Sequence, residues 1–186
     1  GAASGNKFAE IGAERSVLML LSYELPMIFV IASLGIAAKS LNIVQIVQAQ
    51  SKLWYIIIMP IGFFVFFVAM LAELERSPFD LREADSELVA GWLTDVSAPH
   101  YTLALFLDYT KTFLGSLLLA LLFFGGWLGP VLPGFVWLML KAIVIAVFIM
   151  LVRATAVRMR IDRILALGWY VLLPLAAVNL IIAFIV

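Results

Sequence analysis

The sequence predicts an all-α integral membrane protein with about five transmembrane helices. Two observations carry this. The chain is 65% hydrophobic and 13% charged, with a mean hydropathy of +1.14, whereas a soluble domain is roughly half apolar and about a quarter charged. Apolar runs recur at 16–38, 53–72, 102–128, 135–152 and 164–186, each near the roughly 20 residues a helix needs to cross a hydrocarbon core of about 30 Å. In lipid the backbone must satisfy its own polar groups, so such runs form helices.

Residues 1–15 begin at Gly1, without Met and without a basic-then-apolar leader. A fragment, a processed chain or one lacking upstream residues is expected. The first span, 16–38, carries Glu24 within Ser22-Tyr23-Glu24-Leu25-Pro26. Pro26 loosens the helix there, so Glu24 reads as facing a water-filled path rather than lipid. The second span, 53–72, has no charged residue and runs into a polar loop, 73–101. The third, 102–128, holds Asp108 and Lys111, three residues apart and so on one helical face. They read either as a structural ion pair or as transport groups. Gly125-Gly126-Trp127 near its end reads as close packing and interfacial anchoring, as do Trp54, Tyr55, Tyr101, Trp137 and Trp169. His100 reads as an interfacial residue. A Gly/Pro turn, 129–134, leads to the fourth span, 135–152, whose one charge is Lys141. That lysine either snorkels or faces a carboxylate on a neighbouring helix. An arginine-rich loop, 153–163, precedes the last span, 164–186.

Five spans put the two ends on opposite sides. One side collects Lys7, Arg15, Arg76, Arg82, Arg153, Arg158, Arg160 and Arg163; the other has Lys39 and Lys52. Eight against two places loops 73–101 and 153–163 in the cytoplasm and the C-terminus outside. The two loops differ in sign, so each can pair with the other or with a soluble partner. Arg153, Arg158, Arg160 and Arg163 also suit anionic lipid, Asp162 reducing the loop's net charge.

Loop 73–101 is the densest chemistry in the chain. Glu73, Glu75, Asp80, Glu83, Asp85 and Glu87 fall within fifteen residues, opposed there by Arg76 and Arg82. Ser77-Pro78 reads as a helix start, with a short helix over 79–91. Asp80, Glu83 and Glu87 would share one face, and Phe79, Leu81, Ala84, Leu88 and Trp92 another. Like charges at that spacing repel and favour the protonated acid, which suits a proton relay. The alternative is a solvated acidic loop. Because Glu73 and Glu75 abut a span, where ionisable groups are expensive, the relay is the stronger reading.

Several functions are excluded or disfavoured. Formal net charge is zero, so no nucleic-acid footprint exists. Without cysteine and with one histidine, this chain expects no cofactor, Fe–S cluster or metal site of its own. A stand-alone transporter would favour internal repeats, and none is visible.

The stretch Arg76, Pro78, Phe79, Asp80, Leu81 followed by Glu83, Asp85, Glu87, Leu88, Val89, Ala90, Gly91 resembles the H-type membrane subunit of respiratory complex I and its membrane-bound hydrogenase relatives. Ser22-Tyr23-Glu24 and the run from Arg153 to Trp169 with its following Leu-Leu-Pro resemble the same family, in order, across essentially the whole chain. The resemblance implies the last five of eight spans. It implies a subunit that anchors the hydrophilic electron-transfer arm and couples its redox reaction to proton or sodium translocation in antiporter-like membrane subunits. Together with the reading of the ionisable residues, it points to ion coupling by Glu24, Glu73, Glu75, Asp80, Glu83, Asp85, Glu87, Asp108, Lys111 and Lys141. Docking falls to Arg76, Pro78, Phe79, Arg82, Arg153, Arg158, Arg160, Asp162 and Arg163. Fe–S clusters, and a NiFe centre in hydrogenase-type complexes, would sit in partner subunits. Quinone-reducing members form part of a quinone chamber. Glu75, Arg82, Asp108 and Tyr170 depart from the quinone-type pattern, and the opening residues look closer to the ferredoxin-linked hydrogenase and sulfur-reductase relatives.

Overall fold

The computed structural model describes residues 7–74, 78–79, 98–130, 133–157 and 159–185, with backbone alone at residues 8, 9, 12, 16 and 98. Among them the regular structure is helical: α1 (Lys7–Ala38), α2 (Ile43–Ala49), α3 (Tyr55–Ile58), α4 (Pro60–Glu73), α5 (Ala98–Phe123), α6 (Gly134–Thr155), α7 (Ile161–Ala166), a π-helical segment (Leu167–Leu172) and α8 (Leu173–Ile185). Four stretches are long and apolar enough to cross a membrane: Ala13–Ala38, Pro99–Phe123, Gly134–Thr155 and Ile161–Ile185.

The expected second span is not one helix. Met59 leaves helical geometry, with φ −128° and ψ 63°, and Pro60 starts α4. A proline inside a helix lacks the N–H and collides with the carbonyl four residues back, so α3 stops and α4 begins again with Pro60 at its first position. The fourteen residues of α4 reach about 21 Å, short of the hydrocarbon core on their own. Pro26, by contrast, lies inside an unbroken α1.

Helix ends explain the other boundaries. α1 closes on Lys39 at φ 55°, with Ser40 N–H donating to Gly35 O at 3.0 Å and Lys39 N–H to Ile36 O at 3.1 Å. This is the Schellman arrangement, with lysine where glycine is usual. Asn42 then caps α2, its side chain accepting from Val44 N–H. The third span ends at Phe123, five residues before the expected 128, because Gly125 and Gly126 adopt φ 69° and 46°.

The end of α5 is a buried polar joint. Gly126 N–H returns to Ala120 O at 2.9 Å, but Gly125 N–H donates to the Gln50 side-chain oxygen at 2.9 Å. The Gln50 amide nitrogen donates to Leu121 O and Leu122 O at 3.0 and 3.1 Å. Lys141 Nζ, from α6, donates to Phe124 O, Gly126 O and Leu128 O at 2.7, 3.0 and 2.9 Å. A helix leaves its last four carbonyls orphaned and carries partial negative charge there. Here an inserted amide and an ammonium answer both. Lys141 therefore neither snorkels nor meets a carboxylate in this contact.

Packing follows two groups. α1 runs along α8 and α4, and α5 pairs with α6; α4 touches α5 and links the groups. Where α1, α4 and α8 meet, Asn179 is 1% exposed and donates to Ser33 Oγ at 2.7 Å. A Cβ on Gly62 would come within 2.7–2.9 Å of the Asn179 amide, so glycine permits α4 to approach α8.

Candidate functional site

Three sequence motifs converge at the end of the molecule where α4 leaves toward the acidic loop. α1 contributes Tyr23 and Glu24. Tyr23 is buried, its hydroxyl donates to Ile164 O on α7 at 3.2 Å, and its ring meets Phe79 edge-on at 5.3 Å. Pro78 O accepts from Met159 N–H at 3.1 Å. The Pro78-Phe79 dipeptide is thus held between the Ser-Tyr-Glu motif and the arginine-rich connection.

The last span opens beside this contact. Leu167 N–H is shared between Arg163 O and Ile164 O, and Leu173 N–H reaches back five residues to Gly168 O, the hydrogen bond of a π turn. The wider turn sets Gly168 against α1: a Cβ there would lie 2.7 Å from Ser22 O. Ser22 O is the carbonyl that Pro26, lacking an N–H, leaves without its helical donor.

Next to Tyr23 is a cavity of about 360 Å³ between α1, α4 and α5. Glu24, Glu73 and Lys111 all line it, with Met70 and Gly115 between them. Gly115 lets α4 lie close to α5, since a Cβ would meet Met70 Sδ at 2.9 Å. Two carboxylates and one ammonium from three helices therefore share one space in an otherwise apolar layer.

The remaining candidates fall elsewhere. Asp108 lies three residues before Lys111 on α5 and is half-buried; it does not line the cavity. Lys141 caps α5, as described. Arg153, Arg160, Asp162 and Arg163 are exposed, and Arg160 O accepts from the Arg163 and Ile164 amides to start α7. Glu75, Arg76, Asp80, Arg82, Glu83, Asp85, Glu87 and Arg158 lie outside the described residues, as does the expected helix over 79–91 beyond Phe79. Among the described residues, no three His, Cys, Asp or Glu side chains gather as a metal site.

Sequence reasoning quoted Tyr23 only as part of a motif and passed over Gln50 and Asn179. Tyr23 and Asn179 each carry a polar group inside an apolar run, which was the available signal.

Residues 1–184 match the family model described as NADH dehydrogenase. The chain is 42% identical over 185 residues to the second H subunit of NADH-quinone oxidoreductase from Rhizobium meliloti (strain 1021), covering 98% of this chain and 56% of that protein. It is likewise 42% identical over 185 residues to the H subunit of NADH-quinone oxidoreductase from Geobacillus sp. (strain WCH70), covering 97% and 55%. Among solved structures it superposes on a chain of the membrane-bound sulfane sulfur reductase, an archaeal respiratory membrane complex, with a TM-score of 0.86 and 27% identity. That alignment covers 97% of this chain and 62% of the other. The chain spans about half the length of the relatives it matches in sequence.

Proposed function

Since the chain belongs to the NADH dehydrogenase family as an H-type membrane subunit, we propose that it couples electron transfer in a docked soluble arm to ion movement in the membrane. The observation that carries this reading is the cavity shared by Glu24, Glu73 and Lys111. Two carboxylates and one ammonium, each from a different helix, thereby gain a common meeting point beside the acidic loop. Glu73 ends α4 and leads directly into the acidic loop, so a charge change in that loop reaches the cavity through one helix terminus. Glu75, Asp80, Glu83, Asp85 and Glu87 form the loop side of the relay, and Glu24 and Lys111 the membrane side. Asp108 continues it along α5. The exposed Arg153, Arg160 and Arg163 with Asp162, together with Arg76, Arg82 and Arg158, dock the soluble arm and face the cytoplasm. The ion then passes to antiporter-like partner subunits.

The redox centres belong to partners, because a chain without cysteine offers no thiolate to an Fe–S cluster or a NiFe centre. A ferredoxin-linked hydrogenase-type or sulfur-reductase-type complex is supported by the likeness to the sulfane sulfur reductase chain. A second reading, a quinone-reducing complex whose chamber this chain helps to form, is favoured by relatives named as H subunits of NADH-quinone oxidoreductase. Metal and cofactor analysis of the complex purified through this chain separates them: nickel with Fe–S marks the hydrogenase type, flavin or quinone the respiratory type, and Fe–S alone the sulfur-reducing type.

The coupling test is Glu24→Gln and Glu73→Gln in the assembled complex. Ion translocation is expected to fall at least about tenfold, the size of a lost proton-transfer group, while the partner subunits stay bound. Wild-type translocation in both variants would reduce the chain to an anchor for the soluble arm.

A further inference from the structure

A second cavity lies at the opposite end of α4 from Glu73. It is a groove of about 340 Å³ between α4 and α6, floored by Phe63, Phe67 and Phe148 and bordered at one end by Trp54, Trp137 and Lys141. Its wall on α6 is the stripe Trp137, Lys141, Val144, Ile145 and Phe148, which repeats at helical spacing over about 16 Å. Val144 is 60% and Phe148 51% exposed, so the groove opens sideways, away from the described helices.

The two ends of the groove differ in chemistry. The α6 end at Phe148 is hydrocarbon. At the other end the Lys141 ammonium sits 4.9 Å from the Trp54 ring and 5.8 Å from the Trp137 ring. All three of its protons are taken by carbonyls, so the ammonium is held in place at this end of the groove. Exposed Lys52 is two residues from Trp54. From residue 39 to 72 the chain contains Lys39 and Lys52 and no acid, and from 112 to 152 its one charged residue is Lys141. The sequence elements that build this end are therefore cationic throughout. Tryptophans beside lysines, above an apolar trough, suit the boundary between headgroup and acyl chain.

We propose that this groove binds one anionic phospholipid, with an acyl chain along Phe63, Phe67 and Phe148 and its phosphate beside Lys52 at the Lys141 end. The aromatic floor gives the chain close-packed contact, and the cationic rim selects the charge of the headgroup.

The test uses the intact complex, purified in mild detergent, with native mass spectrometry of retained lipid. The probe is a bilayer of mixed phosphatidylglycerol and phosphatidylcholine in which the complex is equilibrated beforehand. Wild type is expected to keep a phosphatidylglycerol that Val144→Trp, which fills the groove, loses. Lys52→Glu is expected to lower phosphatidylglycerol retention by about tenfold relative to phosphatidylcholine, as reversal of one surface charge implies. Equal retention of the two lipids by wild type and Lys52→Glu would overturn the headgroup assignment. In a separate measurement that leaves the groove open, a photo-crosslinking amino acid at position 144 is expected to capture lipid. Capture of a polypeptide instead would make the groove a helix–helix interface and overturn the proposal.

Discussion

Lys141 shows how a single charge is made compatible with an apolar span. An ammonium has three donors, and all three are spent on carbonyls at the end of α5. Losing the donor leaves one buried and two part-buried carbonyls without this partner, and each loss at a buried group costs about 1–3 kcal/mol. Lys141→Met is therefore expected to destabilise the protein by about 3 kcal/mol or more, measured as a lower unfolding temperature in detergent. Lys141→Arg is expected to lose less, because a guanidinium keeps the charge and several donors. A lysine needed chiefly for ion passage would give the reverse pattern, with normal stability and lost translocation in both variants. Gln50 acts in the same joint with an acceptor as well as a donor, which methionine or leucine cannot supply.

Among the elements, α4 has the most to lose from a small change. It is short, begins at a break, and reaches α8 through the Gly62–Asn179 contact. Gly62→Ala introduces a methyl group into that contact and is expected to cost about 1–3 kcal/mol, the usual range for overpacking. Pairing it with Asn179→Ala should recover most of the loss, giving a coupling energy of about 1 kcal/mol or more in a double-mutant cycle. Simple additivity would mean that Gly62 serves the helix break and not the packing. The break shows where sequence reading stops. Residues 53–72 are apolar throughout, and hydropathy counts that as one span. Pro60 lies within that run, but a proline also occurs within α1, which stays whole. What separates the cases is tertiary: α1 packs against both α4 and α8, whereas Met59 leaves helical geometry between α3 and α4. All-round apolar helices hide such differences because lipid-facing and protein-facing residues look alike.

For the whole molecule, the apolar runs and ordered motifs made the fold class and family legible, and Glu24 and Glu73 were recognisable as ionisable groups at or within spans. Their meeting with Lys111 was not legible, because it joins residues from three helices through packing of Met70 against Gly115. The contact of Phe79 with Tyr23 was equally hidden, since 56 residues separate them. The exposed arginines offer a test at this scale. Arg160→Glu with Arg163→Glu reverses two charges on the connection into the last span, where each surface charge is worth about 1 kcal/mol. The chain should remain in the membrane while the soluble arm is lost, at least about tenfold by quantitative pull-down. Retention of the arm would move docking to other residues.

The Lys141 joint also constrains how the protein is made. Residues 124–128 are synthesised before Lys141, so the ammonium enters the bilayer with its acceptors already present in the connection that follows α5. Alone, a lysine opposes insertion by about 2.5–3.5 kcal/mol at the centre of a span and by less where Lys141 lies, eight residues into α6. A ribosome that delivers α5 and then α6 can release them as a hairpin. A circularly permuted gene that delivered α6 first would present a bare ammonium to lipid, and that helix should stall at the translocon until its partner arrived.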